Sequence, residues 1–177
     1  MSADSGSFPD PNNPAFETFF RVRFHEVDAL GHVNNAAYLN YLEQAAIDHA
    51  ALLGLDLEGL RRLGGVFVAR RHDIVFLKPA FAGDLLRVVT WLGEVRGARV
   101  ERSYLVYRNA EMAAPAIVTG RQVQGAEIVA DGELVVRAMT EWVFANDRGQ
   151  PRRVPNEVIT MFRAGAAGIE GTKVRSD

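Results

Sequence analysis

Between His25 and Ala45 the chain reads HEVDALGHVNNAAYLNYLEQA, with an acid, a glycine, a histidine and two asparagines directly before a strongly apolar helical pattern. These residue types suit acyl chemistry. The start of a helix offers unpaired N–H groups and the positive end of a dipole. A carbonyl oxygen placed there is polarised, and the oxyanion formed on attack is stabilised. Asp28 lies just upstream and can stand beside that carbonyl as nucleophile or as base for water. Gly31 lets the backbone approach a substrate closely. His32, Asn34 and Asn35 can orient the carboxylate or the carbonyl. The same residues also fit a plainer role. Asn34 or Asn35 can simply cap the helix, Asp28 can satisfy loop amides, and Gly31 can supply a positive φ.

Composition narrows the chemistry. The 177 residues suit one domain with a real core, and 48% are hydrophobic and 24% charged, as in an ordinary globular chain. A net charge of −2 implies no basic face for nucleic acid or an anionic membrane. The chain has no cysteine, which excludes disulfides, a thiolate nucleophile and cysteine-ligated metal, and fits a reducing compartment. The polar, proline-bearing start MSADSGSFPDPNNP lacks the apolar run of a signal peptide. No stretch approaches the roughly 18 apolar residues of a membrane span. The expectation is a cytoplasmic protein with no cofactor and no metal.

The elements that must position the opening stretch follow from periodicity. Residues 1–14 read as a disordered arm and 163–177 as a loose tail, leaving 15–162 as a single domain. Residues 16–25 read as a strand. From Ala36 to Leu53 the pattern is helical, with Tyr38, Leu42, Ala45, Ala46, His49 and Leu53 on one face. Its polar stripe (Asn40, Glu43, Gln44, Asp48) is narrow, which predicts burial on most sides. The stretch GLDLEGLRRLGG (54–65) ends the helix with glycines and leaves room for one short helical turn. Strands are predicted at 66–77, 85–95, 98–109 and 132–147, with a hairpin turn at Arg96-Gly97 and a type I′ signal at Asp131-Gly132. One helix cannot cover both faces of such a sheet. The economical α+β solution is a curved antiparallel β-sheet wrapped around one long central helix, with dimerisation through the sheet.

RVRFHEVDALGHVNNAAYLNYLEQA closely resembles the signature of the 4-hydroxybenzoyl-CoA thioesterase family, the hotdog-fold acyl-CoA thioesterases. The matching features are an aromatic-ending strand, Asp28, the run Gly31-His32-Val33-Asn34-Asn35, Tyr38 and Glu43. Further on, IVFLKPAFAGDLLRV resembles the family's strand–Pro–Ala–Gly–Asp turn, and TEWVFANDRGQPRRVP its last strand and exit. The resemblance covers roughly residues 17–160. It implies a hotdog fold, homodimers or homotetramers, and metal-free hydrolysis of an acyl-CoA or acyl-carrier-protein thioester. It places Asp28 as the catalytic carboxylate and the Asn35 amide at the thioester carbonyl. Gly31, His32, Val33 and Asn34 then shape the pocket, and Tyr38 holds a recurrent aromatic position that reads mainly as packing.

Glu43 matches the helix carboxylate of a second hotdog branch but reads here as a supporting or dimer-contact group. His25, His49 and His72 share no metal-like spacing, and His49 reads as a hydrogen-bonded core histidine. Arg70, Arg71 and Lys78 are candidate contacts for coenzyme A phosphates, with Arg152 and Arg153 behind them. Alternation on a strand predicts that only one of Arg70 and Arg71 points outward. Residues 109–125 are an excursion from the family pattern, ahead of what reads as a final hairpin. Since a single added strand would reverse the last strand, a loop, bulged arm or whole hairpin is expected, packed on the pocket or on a partner subunit. Two other functions remain open: a hotdog hydratase acting on an enoyl thioester, and a non-catalytic acyl-CoA binding module.

Overall fold

The computed structural model describes residues 9–109, 120–128 and 130–164. Chain order is β1 (Pro14–Arg21), a 3-10 turn (Phe24–Glu26), α1 (Asn35–Leu52), α2 (Leu57–Arg62), β2 (Val66–Phe76), β3 (Leu85–Arg96), β4 (Arg99–Asn109), β5 (Arg121–Gln124), a second 3-10 turn (Gly125–Glu127), β6 (Glu133–Ala145) and α3 (Asn156–Ala164). Six strands form one antiparallel sheet in the order β2-β6-β4-β3-β1-β5. Within the predicted first strand, pairing stops at Arg21, and Phe24–Glu26 turns away as a 3-10 helix because Glu26 N bonds back to Arg23 O at 3.0 Å.

Strand alternation divides the core. Val88 and Val89 point to opposite faces, and both are fully buried. Val88 joins Tyr104 and Val136 beneath Tyr38 and Leu42 of α1. Val89 joins Leu105 and Trp91 on the other face, against Val123 and Ile128. A further cluster gathers Ala46 and Leu53 of α1 with Leu60, Trp142, Phe144 and Phe162. The inner face predicted for the helix is buried at every one of its six positions. Burial on most sides did not follow: Ile47 and Leu52 remain exposed on the outer face, where none of the described residues covers them.

Among the described residues of the segment between β4 and β6 there is one strand, β5. It pairs with β1 at the far edge of the sheet rather than beside β4, so β6 stays antiparallel to β4. Among the described residues β6 pairs with β4 and β2, and no pairing with the segment directly before it forms the expected final hairpin. The apolar residues Val123 and Ile128 cover the chain's own outer sheet face. Residues 110–119 of the excursion lie outside the described residues, as do 1–8 of the arm and 165–177 of the tail. The rest of the arm is tied down: Ala126 N donates to Pro11 O and Gly125 N to Asn13 O, each at 3.0 Å. The tail's first two residues close α3.

Candidate active site

The loop from Glu26 to Asn34 folds back on itself. Asn34 N donates to Glu26 O at 2.8 Å and Asp28 N to His32 O at 2.8 Å, with Val27 and Val33 bridged between them. Asp28 therefore stands at the mouth of a small hairpin whose other arm runs into α1. Its Oδ1 accepts from Leu30 N at 2.8 Å and from His32 N at 3.2 Å. Gly31 closes the turn at φ 77°, a conformation glycine adopts without strain. The Asp28 side chain thus organises the loop while remaining exposed.

Asn34 is the N-cap of α1, its Oδ1 accepting from Ala36 N at 2.9 Å. Ala37 N donates to Asn34 O at 2.8 Å. Between these, the Asn35 N–H makes no hydrogen bond with the described residues, and the residue is exposed at the positive end of the helix. The plainer capping role is therefore filled by Asn34 and leaves the Asn35 amide available. His32 packs edge-on to Phe81 with ring centroids 5.4 Å apart, half-buried beside the hairpin. Val33 is buried and anchored to the following loop through its N–H to Ala80 O at 2.8 Å.

Tyr38 is buried against Tyr41 and Phe76, and its hydroxyl pKa is pushed up to about 12 by burial first and by Asp84 second. That suits packing and not proton transfer at neutral pH. The Tyr41–Glu26 pair was not expected from local pattern. Tyr41 Oη donates to Glu26 Oε2 at 2.6 Å, and the same oxygen accepts from Arg23 N at 2.6 Å. Burial and the bonded carboxylate raise the Tyr41 pKa. The only sequence signal was an acid two residues before Asp28 and a tyrosine on the inner face of the helix.

The candidate phosphate contacts lie apart from the hairpin, on and after β2. Arg70 and Arg71 are both exposed, because a register shift between Ala69 and Arg71 breaks the alternation that would have turned one inward. Arg70 pairs with Glu141 at 3.2 Å, Arg71 with Asp73 at 3.0 Å and Lys78 with Glu133 at 2.5 Å. His49 is hydrogen-bonded in the core as expected, its Nδ1 to Arg102 Nη1 at 3.1 Å. Among the described residues no group of His and acids forms a metal site, and no helix is long and apolar enough to cross a membrane. A roughly 410 Å³ apolar cavity lies farther along α1, with Glu43 and Ile47 at its edge and Arg102 and Trp142 within; Asp28 and Asn35 do not line it.

Comparison with known proteins decides the family. The family model described as thioesterase-like superfamily matches residues 22–162. The chain belongs to the thioesterase-like superfamily. Across 146 residues it is 21% identical to the acyl-acyl carrier protein thioesterase ATL3 of Arabidopsis thaliana, a match covering 82% of this chain and 66% of that protein. It is 32% identical over 85 residues to the long-chain acyl-CoA thioesterase FadM of Escherichia coli, covering 46% of this chain and 61% of FadM. The chain thus spans just under two thirds of each of these relatives. Its fold is similar to that of Slr0204 from Synechocystis, a 1,4-dihydroxy-2-naphthoyl-CoA thioesterase, with a TM-score of 0.65 at 18% identity over 84% of this chain and 95% of that one. The architecture of this thioesterase-like protein is that of the hotdog thioesterases.

Proposed function

We propose that the protein is an acyl thioesterase. It hydrolyses the thioester of an acyl-CoA or acyl carrier protein to a free acid and a thiol. The observation that carries this reading is the pairing of an exposed carboxylate, Asp28, with the unpaired N–H of Asn35 at the start of α1, on a small hairpin that joins the two. The thioester carbonyl lies against the Asn35 amide, where the helix dipole favours the developing oxyanion. Asp28 takes a proton from the attacking water, or attacks the carbonyl directly to give a mixed anhydride that water then cleaves to the free acid and the restored carboxylate. On either route the C–S bond breaks and the thiolate leaves, to be protonated by solvent. His32, Gly31, Val33 and Asn34 hold the hairpin in shape, and Tyr38 packs the helix beneath it. Arg70 and Lys78 exchange their carboxylate partners for phosphate when coenzyme A is bound.

The reading takes the hotdog arrangement in full, with the sheet curved around α1 in a single domain. It also includes a second copy. β2 is an edge strand whose outer side is unpaired among the described residues and carries exposed Val68, Val75 and Phe76, and Phe24 and Leu30 project beside Asp28, Phe24 being 87% exposed. A homodimer across this edge covers that apolar surface and supplies the wall that an open hairpin lacks. Pairing of two dimers into a tetramer is compatible with it.

The test is thiol release from a panel of acyl-CoA substrates by wild type and Asp28→Asn. The expected loss in turnover is at least about 10²-fold, the range of a positioned acid–base group, with substrate binding kept. The chain has no cysteine, so the thiol reagent reports only product. Full activity in Asp28→Asn overturns the assignment and points to Glu43. Binding without turnover in the wild type favours a binding module, and hydration of an enoyl-CoA without thiol release favours a hydratase.

A further inference from the structure

Arg102 is a buried cation without a carboxylate. It sits on β4 at 3% exposure, and both of its side-chain hydrogen bonds leave from Nη1, to His49 Nδ1 at 3.1 Å and to Thr90 Oγ1 at 3.2 Å. Phe162 of α3 lies over the guanidinium at 5.4 Å. Among the described residues the ion pairs involve other cations. The contrast with Glu17 is direct, because that buried carboxylate meets Arg87 at 2.8 Å and Arg121 at 2.6 Å.

The neighbours of Arg102 do not neutralise it. Accepting from Nη1, His49 Nδ1 carries no proton, so the imidazole is neutral with its proton on Nε2. Burial and the adjacent guanidinium both hold the His49 pKa well below its ordinary value. Arginine keeps its charge inside a protein, and a buried charge left unpaired is costly.

The cavity explains it. Arg102 and Trp142 line the same roughly 410 Å³ space, whose other walls are apolar: Ala46 and Ile47 of α1, Leu60 of α2 and Phe67 of β2. Trp142 is 8% exposed, and its buried Nε1–H is directed at the Tyr104 hydroxyl. The size falls in the range of small-molecule sites, which combine apolar walls with a few polar groups. Here Arg102 offers N–H donors, and the two acids on the lining, Glu43 of α1 and Asp56 at the start of α2, are exposed, with Asp56 Oδ1 accepting from Gly59 N at 2.7 Å. Glu43 lies eight residues beyond Asn35, which places the cavity about 12 Å or more along α1 from the hairpin.

We infer that this cavity is a binding site for an apolar chain ending in a carboxylate, with Arg102 as counter-charge. The carboxylate has two sources: a free fatty acid, or the far end of an acyl group that carries a second carboxyl. Binding to this site does not depend on the hydrolytic role of Asp28.

Calorimetric titration of the full chain with decanoate and with 1-decanol tests the inference. Decanoate binds the wild type at least about tenfold more tightly than the alcohol, the scale of a charge-assisted hydrogen bond. Arg102→Met abolishes that preference while decanol still binds. Ile47→Trp, at an exposed rim position that folding does not depend on, blocks both ligands. Equal affinity of the wild type for the two ligands overturns the inference without any variant. So does a preference that survives Arg102→Met, or binding of both ligands undiminished by Ile47→Trp. Thiol release from decanoyl-CoA and from its ω-carboxy counterpart separates the sources. A preference for the second that vanishes in Arg102→Met assigns the site to the far end of the acyl group. Equal rates, with decanoate bound in the titration, assign it to a free fatty acid.

Discussion

Tyr41 Oη donates to Glu26 Oε2 at 2.6 Å, tying the second turn of α1 to the base of the hairpin that carries Asp28. Glu26 also accepts Asn34 N through its main-chain oxygen, so one residue joins the hairpin to the helix twice. The pair fixes the height of Asp28 above the helix start, where the Asn35 amide lies. Tyr41 touches no reacting atom and acts only through position. Tyr41→Phe is expected to lower kcat about three- to tenfold with little change in KM, and to destabilise by about 1 kcal/mol for the lost hydrogen bond. Steady-state kinetics and urea unfolding of the same preparation check it. An equal fall in kcat and 1/KM would point to lost substrate contact, which the geometry does not provide.

Gly31 carries the second strain-sensitive point of the hairpin. At φ 77° an alanine is disfavoured, although no atom lies within 4 Å of the Cβ it would add. The cost is therefore conformational, about 1 kcal/mol. Leu30 N and His32 N, the two donors to Asp28 Oδ1, flank this residue, so relaxation of the turn moves the carboxylate. Gly31→Ala should lower Tm by about 2–4 °C and turnover by more than that stability loss explains. A variant with lower Tm but unchanged kcat would remove Gly31 from the site.

Local features were legible in the sequence where one element alone decides them. The Asp28–Asn35 run announced a loop before a helix, because caps and turns favour just these residue types. The inner face of α1 followed from its period. Features set by topology were not legible. Arg102 meets His49 across 53 positions, and nothing in either local pattern signals the contact. The four residues of β5, RQVQ, carry too little alternation to read as a strand, and their place beside β1 depends on which edge is free. At Arg70 and Arg71 the alternation was real but a bulge interrupted it. Burial of the helix's outer face was over-read, since an apolar residue such as Ile47 does not say whether its cover belongs to the same chain.

His49 should leave a signature in the pH dependence of stability. Burial, then the Arg102 charge, lowers its folded pKa far below the ordinary histidine value. In the unfolded chain it titrates near 6.5. Below that pH the unfolded state binds a proton that the folded state refuses, so the stability associated with neutral His49 is present above about 6.5 and drains away as pH falls. The limiting slope is about 1.4 kcal/mol per pH unit. Urea unfolding at pH 7.5 and pH 5.5 should show this loss in the wild type and a shallower one in His49→Gln. Identical slopes in both proteins would mean that His49 is protonated in the folded core.

Arg70 and Lys78 are engaged with Glu141 and Glu133 on the surface, and exposed pairs of this kind contribute at most about 1 kcal/mol. A phosphate carries more charge than a carboxylate and can replace one at such a site. If the two cations meet coenzyme A, Arg70→Ala/Lys78→Ala raises KM for an acyl-CoA by about three- to tenfold and steepens nothing else. A thioester of pantetheine with the same acyl group, which lacks the nucleotide phosphates, keeps its KM. Added salt then weakens acyl-CoA binding in the wild type more than in the double variant, because screening acts on charges that the variant no longer has. A KM unchanged for both substrates leaves the two residues as ion pairs of the sheet. An equal rise for both would place them against the acyl or pantetheine portion instead.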